Sequence, residues 1–402
     1  MPATEQDASS PFIRYRWLLD SYRKAMGQGW SDEDFVSLVR RLDEAIAAVD
    51  GRGFVMTPAT HHQELAMATD LETSRLWVKD ETENVGGSHK ARHLFGVLLH
   101  LSIDEPREGE LAIASCGNAA IAAAVVARAV DRPLRVFIPS WADPAVVASL
   151  DALEARIEVA ERRPGEIGDP TFLRLLESIE SGSIPFSVQS TATAATLDGG
   201  RTIGWELAEQ LALQHATGTI HFFVQVGGGA LAASLWAGIN DGIREQWLSA
   251  GPVLHTVQTE AAAPLNRAWR QLRLTQAELD LELALDVAAA DPDRFMWAWE
   301  NVGESAASGI LDDVTYDWYP VMEGMLASGG SALVVSEDMI LRANQVGRSI
   351  TGINVDPTGT AGFAALLDPG VATAIGPEDH VIVLFTGVDR SRLAPRHSRL
   401  GP

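Results

Sequence analysis

The chain has one cysteine, Cys116, in 402 residues. A disulfide within the chain is therefore impossible, and this usage is the one expected of a cytoplasmic protein. Positive charge is also scarce: 31 Lys and Arg stand against 54 Asp and Glu, a formal net charge of −23 with a sequence pI near 4.8. Such a surface repels phosphate backbones and anionic bilayers, so neither nucleic acid nor membrane is an expected partner. No apolar run reaches the ~20 residues that span a bilayer. The Ala-rich stretch Ala119–Val130 is interrupted by Arg128 and reads as a packed helix. The start, Met1 to Ser10, lacks the basic and apolar parts of a secretory signal. There is no internal repeat and no low-complexity segment.

What is present is the composition of a soluble globular protein, 46% hydrophobic and 21% charged, long enough for two or three domains. Residues 1–10 read as a disordered tail. Phe12 to Met26 mixes aromatics with arginines and is expected to clasp the outside of the body. Ser31 is a cap, with Glu33 and Asp34 in the first turn and Phe35, Leu38, Val39, Leu42 and Ile46 at helical spacing up to Gly51 and Gly53. Short β runs then alternate with amphipathic helices. The expected strands include Leu76–Val78, Leu111–Ala114, Leu134–Ile138, Ile157–Val159, Ile220–Val226, Val253–Thr259, Ser331–Val335 and His380–Phe385. The expected helices include Ser88–Leu101, Asn118–Val130, Pro144–Leu153, Thr171–Glu180, Gly200–Leu213, Leu231–Ile243 and Asp338–Ser349. Alternation of this kind predicts an α/β fold with parallel sheets covered on both faces. Ligands in such folds bind at the carboxyl ends of strands.

Four segments at such strand ends carry the chemistry. In Lys79–Arg92 a Gly-containing loop leads to Lys90 at the opening of a helix. The positive end of the helix dipole disfavours an ammonium there and helps supply a neutral amine able to attack an aldehyde. Alone, Lys90 reads equally as a surface lysine in a cap. In Ser115-Cys116-Gly117-Asn118-Ala119 a strand end opens a helix whose backbone N–H groups suit a carboxylate. Asn118 offers a donor to a phenolate oxygen, although an ordinary N-cap would look the same. Gly227-Gly228-Gly229-Ala230-Leu231 lets the backbone curl round a phosphate. No lysine follows it and it does not spell G-x-G-x-x-G, so it is neither a nucleotide P-loop nor a dinucleotide fingerprint. A purely structural turn remains the other reading. Finally, Thr386 places a hydroxyl at the end of the apolar run Ile382–Phe385, either as a ligand or as a plain strand exit.

Taken in this order, these segments resemble the fold-type II pyridoxal-phosphate family, which includes threonine synthase, serine/threonine ammonia-lyases, cysteine synthase and the tryptophan synthase β subunit. The resemblance covers about residues 52–390, and Phe12-Ile13-Arg14-Tyr15-Arg16 is similar to the opening of threonine synthases. It implies two parallel-sheet domains of the tryptophan synthase β-like type, with the cofactor in the cleft between them. Residues 52–91 and 197–392 would form the large cofactor domain, and 92–196 a small mobile domain. Residues 1–51 would be an N-terminal extension with a helix, and 393–402 a tail. Gly87-Ser88-His89-Lys90-Ala91-Arg92 matches the element carrying the Schiff-base lysine. Ser115 to Ala119 matches the loop that grips the substrate carboxylate, with Asn118 on the cofactor's 3′ oxygen. Gly227 to Leu231 matches the phosphate cradle, and Thr386 the hydroxyl partner of the pyridine nitrogen. A neutral hydroxyl there favours elimination or replacement at the β carbon over chemistry that needs a strong electron sink. Asn354-Val355-Asp356-Pro357-Thr358-Gly359 resembles the E-P-[ST]-[GS] element near the cofactor.

The departures bear on the substrate. Thr57-Pro58-Ala59 keeps a T-P opening but loses the usual leucine. Cys116, taken with Lys90 as a catalytic residue, stands where Ser, Thr or Ala is common, and Val388-Asp389-Arg390 departs from the family's ending. Thr196 falls where threonine synthases have an arginine for the substrate phosphate, so Arg92 or Arg201 would have to supply the cation. Glu260 aligns loosely with a cation ligand of some racemases and dehydratases; a lone Glu after a strand reads as structural, and no metal is expected. Trp269, Trp297, Trp299 and Trp318 fall in a region, 265–320, that the resemblance covers poorly; they read as packing or a subunit interface, or as a substrate lid. The implied activity is α,β-elimination from a hydroxy or β-substituted amino acid, with Lys90 as base and pyridoxal 5′-phosphate as cofactor. A threonine synthase-like replacement enzyme is the alternative, and a catalytically inactive cofactor-binding paralogue a third. The expected partner is a small amino-acid substrate, and the expected assembly a homodimer.

Overall fold

The computed structural model describes residues 9–69, 71, 75–104, 109–214, 218–248, 251–277 and 279–390. Ten strands are described: β1 (Ala59–His61), β2 (Arg75–Asp80), β3 (Leu111–Ala114), β4 (Leu134–Ile138), β5 (Arg156–Val159), β6 (Ile184–Pro185), β7 (Ile220–Gln225), β8 (Pro252–Thr259), β9 (Ala332–Val335) and β10 (His380–Phe385). They form a six-stranded sheet of order β1-β2-β10-β7-β8-β9 and a four-stranded sheet of order β5-β4-β3-β6. All pairs are parallel except β1 with β2. The short antiparallel β1 fell outside the sequence pattern because three half-polar residues carry no periodicity.

The last strand, β10, inserts between β2 and β7. Every residue from His380 to Phe385 is buried, as an apolar run at the centre of a parallel sheet must be. Its register pairs Phe385 with Asp80 and Val383 with Phe223, so the carboxyl ends of β2, β10 and β7 lie together at one sheet edge.

Three helices join the two halves. Helix Lys90–Ile103 crosses helix Ala195–Leu213, which in turn crosses helix Ala230–Arg244. The first crossing is so close that a side chain at Gly199 would collide with the Arg92 carbonyl oxygen. Backbone contact of this kind fixes the lysine-bearing helix against helix Ala195–Leu213, whose Gly204 in turn lies close to Gly238 of the helix that follows the glycine cradle. Helix Ala195–Leu213 begins five residues before the expected Gly200, and Gly199 and Gly200 lie in its second turn.

The N-terminal segment departs from expectation. Ser9 and Ser10 are structured: Ser9 accepts from Met56 N–H at 2.8 Å and Ser10 is buried. The rest of the expected tail, residues 1–8, lies outside the described residues, as do 391–402. Phe12 and Tyr15 do not clasp the outside but are 0% and 1% exposed. Phe12 packs edge-on against Phe54 and Phe95, centroids 5.1 and 4.5 Å away. The aromatic face is large enough to close the core over helix Lys90–Ile103, and burying it is worth more than leaving it wet. Helix Asp32–Asp50 has the expected Ser31 cap, in a capping box with Asp34, and ends on Gly51 in the left-handed region. Among the described residues no helix is long and apolar enough to cross a membrane.

Candidate active site

The loop after β2 returns to β10. Ser88 bridges Gly387, Val388 N–H donates to the Gly87 carbonyl at 2.9 Å, and His89 N–H donates to the Thr386 carbonyl at 3.2 Å. Ser88 is therefore extended, and the helix starts at Lys90 rather than at Ser88. Lys90 is half-buried, and burial holds its ammonium form below the ordinary range, with Asp312 and Asp317 pulling the other way. Its neighbours His89 and His93 are buried and neutral: burial and the Lys90 charge push His89 well below its usual range, and His93 down to about 3.

β7 delivers the glycine turn to the same edge. Gly229 has φ +100°, a backbone conformation that glycine adopts without strain, and caps helix Ala230–Arg244. The first-turn N–H groups of a helix have no partners within it. Gln225, at the end of β7, donates from Nε2 to the Thr386 hydroxyl at 2.8 Å and to the Gly359 and Leu384 carbonyls at 3.1 and 3.2 Å. Since the Thr386 oxygen accepts this bond, its own proton is left to donate elsewhere.

The four-stranded sheet contributes Ser115 to Ala119 after β3. Asn118 starts helix Asn118–Ala129 and reaches across to β10, so close that a side chain on Gly387 would meet its amide. Asn118 Nδ2 donates to Asp356 at 3.5 Å, and Arg390 donates to Asn118 Oδ1 and to the Gly86 carbonyl. Burial holds the Asp356 carboxyl up at about 6. The space beside Gly117 is open. Burial, with Asp169 and Asp312 nearby, pushes the Cys116 thiol up to about 11, so near neutrality it is a protonated thiol and neither base nor nucleophile. All four sequence segments thus meet at one place.

The arginines proposed to stand in for a missing phosphate ligand do not. Arg92 is fully buried and spends its guanidinium on Glu81 (2.8 Å from Nε), Glu206 (2.5 Å), Thr202 and Thr57. Lys79 joins the same network through Glu206 at 2.6 Å and the Thr57 carbonyl at 2.7 Å. Arg201 donates to the Leu18 carbonyl and Asp20 and lies over Trp205, 5.2 Å from its ring centroid. Thr196 is buried.

Sequence reasoning missed the loop Leu311–Asp317. It brings Asp312 and Tyr316 over the cradle: a side chain at Gly227 would run into the Asp312 carboxyl, and one at Gly228 would lie 3.2 Å from Tyr316. The Gly228 N–H is directed at Asp312, which burial pushes up to about 7 despite Lys90. Asp317 is held up at about 6 by burial. Asp312-Asp313-Val314-Thr315-Tyr316-Asp317 is an ordinary loop in sequence, and only the tertiary approach gives it meaning. Of the tryptophans in 265–320, Trp297 and Trp299 flank Arg267 at 3.7 and 4.9 Å, and Trp318 stacks on Phe295 at 6.3 Å. Glu260 is exposed, and no group of three or more His, Cys, Asp or Glu among the described residues could hold a metal.

A parallel-sheet fold with a half-buried lysine at one sheet edge, a glycine turn beside it and a carboxylate-sized loop opposite has a recognised class. Residues 52–387 match the family model described as pyridoxal-phosphate dependent enzyme, and the chain belongs to that family, as an enzyme of fold type II that depends on this cofactor. Its curated relatives include a cysteate synthase of Methanothrix thermoacetophila, 24% identical over 72% of this chain and 64% of the relative, which therefore extends well beyond the match. A threonine synthase of Methanosarcina acetivorans is 25% identical over 80% of this chain and 72% of its own length. Among solved structures, the processed form of threonine deaminase isoform 2 from Solanum lycopersicum superposes with a TM-score of 0.63 at 16% identity, covering 90% of this chain and 92% of that one, and so shares the fold.

The residues fit that cofactor. An amine whose ammonium form burial disfavours suits an aldehyde, the cradle ahead of a helix suits a phosphate, and a donor hydroxyl at Thr386 suits an unprotonated ring nitrogen. The buried Ser88 hydroxyl and Gln225 Oε1 have no protein partner here.

Proposed function

We propose that this enzyme is an α,β-eliminating lyase acting on a hydroxy or β-substituted amino acid that carries no phosphate. The observation that carries this reading is the commitment of the arginines near the motifs: Arg92 to Glu81 and Glu206, Arg201 to the N-terminal segment, Arg390 to Asn118 and Gly86. A dianionic phosphate needs cationic partners, and these offer it none.

In this reading Lys90 binds the cofactor, Gly227 to Leu231 hold its phosphate, Asn118 its 3′ oxygen and Thr386 its ring nitrogen. The bound cofactor supplies an electron sink at the substrate's α carbon. Ser115 to Ala119 orient the substrate carboxylate. Lys90 Nζ, once free, takes the α proton, a task suited to an amine whose protonated form burial disfavours. Cys116 contacts the substrate as a neutral thiol. Residues 92–196 close over the site and exclude water.

Cofactor-loaded protein should release ammonia and a keto acid from L-serine or L-threonine, and Lys90→Ala should lose both turnover and the visible absorption of the bound cofactor. Phosphate release from phosphohomoserine in place of ammonia would transfer the assignment to replacement chemistry, the reading favoured by the relatives named threonine synthase and cysteate synthase. Turnover by Lys90→Ala at the wild-type rate would end both. A homodimer and a cytoplasmic location complete the proposal; light scattering checks the first.

A further inference from the structure

The groups proposed for cofactor and carboxylate leave the substrate's side chain without a partner. Around the remaining space stand four carboxylates from two different parts of the chain. Asp312, Asp313 and Asp317 come from the loop ahead of helix Trp318–Ser328, and Asp169 is the N-cap of helix Pro170–Glu180, accepting from Thr171 N–H at 2.9 Å. Asp169 acts on Asp312, Asp313 and Tyr316, and both Asp169 and Asp312 act on Cys116. Asp312 and Asp317 also act on Lys90. Asp312 therefore lies near both Cys116 and Lys90, Asp169 near Cys116, Asp317 near Lys90, and Asp313 beside Asp169 and Asp312. The cations that act on them are Lys90, on Asp312 and Asp317, and Arg162, on Asp313.

A second observation is independent of the cluster's charge. Asp317 is 2% exposed; its Oδ1 accepts from the Ser190 hydroxyl, and its Oδ2 has no hydrogen-bond partner. A buried carboxylate oxygen without a donor is costly, and the donor it lacks is what a cationic ligand brings. Tyr316 and Phe172 meet beside these acids with ring centroids 4.8 Å apart, and aromatic faces attract cations.

We propose that this site selects amino acids whose side chain carries a positive charge, read by Asp312, Asp313, Asp317 and Asp169. The inference rests on the lyase reading only in placing substrate between Cys116 and Lys90. Anionic side chains are excluded by the same groups, since like charges in a confined site repel strongly.

Three probes of similar length separate the charges: L-2,4-diaminobutyrate, L-homoserine and L-aspartate. Each is titrated into cofactor-loaded protein, and the shift of the visible cofactor band reads binding. Diaminobutyrate should bind roughly tenfold or more tighter than homoserine, and aspartate weakest. Asp312→Asn should reduce that preference most. Asp169→Asn removes a charge yet keeps the helix cap, because Asn caps as well as Asp, and it should reduce the preference about threefold with the fold intact. Asp313→Asn should do the same. Homoserine or aspartate binding as tightly as diaminobutyrate would overturn the proposal, as would a preference unchanged in all three variants. A protein with no Lys90-dependent band, or a band that no amino acid shifts, would instead bring down the lyase reading, and this inference with it.

Discussion

Replacing Glu206 by Gln would leave two buried cations facing one buried anion. Glu206 uses both oxygens: Oε1 accepts from Arg92 at 2.5 Å, and Oε2 accepts from Lys79 at 2.6 Å and from Thr57 N–H at 2.9 Å. Glu206, Lys79 and Arg92 have fully buried side chains, and Glu81 remains as the other anion. Burial alone would push the Glu206 carboxyl up, but Arg92 and Lys79 outweigh it and hold it low, the sign expected of a carboxylate that its partners keep ionised. Breaking a buried ion pair from one side costs about 3–5 kcal/mol, because the abandoned charge stays desolvated. Unfolding entropy of about 2 cal/mol/K per residue gives roughly 0.8 kcal/mol/K for a chain of 402, so the expected drop in Tm is about 4–6 °C. Calorimetry of wild type, Glu206→Gln and the double variant Lys79→Met with Glu206→Gln checks the reasoning. The double variant restores one cation to one anion and should recover at least half of the loss. A shift below ~1 °C for the single variant, or no recovery in the double, would refute the electrostatic account.

Burial holds His93 down at about 3 in the folded chain, against an ordinary value of 6.5, so the unfolded chain takes up the proton first. The stabilisation from burying neutral imidazole is then complete above about 6.5 and drains away as the pH falls toward about 3, at up to ~1.4 kcal/mol per pH unit. Denaturant curves of His93→Gln between pH 4 and 6 should lack that slope; curves parallel to wild type would contradict it. With its thiol held at about 11, Cys116 should react with an aromatic disulfide reagent at pH 7.5 roughly two orders of magnitude more slowly than a free thiol, and urea should abolish the difference. Fast labelling of the folded protein would show a thiolate where none is expected. Gly199→Ala pushes a methyl group into the Arg92 carbonyl oxygen at the helix crossing and should cost about 1–3 kcal/mol or more in urea unfolding; a neutral result would mean that the two helices separate easily.

Where one element's own chemistry decided its conformation, the sequence was enough. The mainly apolar runs Leu111–Ala114, Leu134–Ile138 and His380–Phe385 are strands at the boundaries expected of them, since a short, mostly apolar run between turn signals finds its place in the interior of a parallel sheet. The Ser31 cap and the Gly51 stop are local hydrogen-bonding and steric matters and held in the same way. The Phe12–Met26 segment was misplaced because amphipathic pattern says that a face is buried but not against what. The start of helix Lys90–Ile103 was missed by two residues because Ser88 is claimed by a bridge to Gly387, a partner 299 positions along the chain.

The amine of Lys90, the amide of Asn118, the glycine turn at Gly227 to Leu231 and the hydroxyl of Thr386, proposed above to hold the cofactor, were legible in side-chain type and order along the chain. Their meeting at one place was not. It follows from β10 entering between β2 and β7, a long-range pairing whose hydrogen bonds are the same for any apolar strand and so leave no mark in the sequence. The commitment of Arg92 to buried carboxylates and the approach of Asp312 to the glycine turn were likewise decided only by packing. A charge is free or spent according to what lies within a few ångströms of it, and that distance is a property of the folded chain alone.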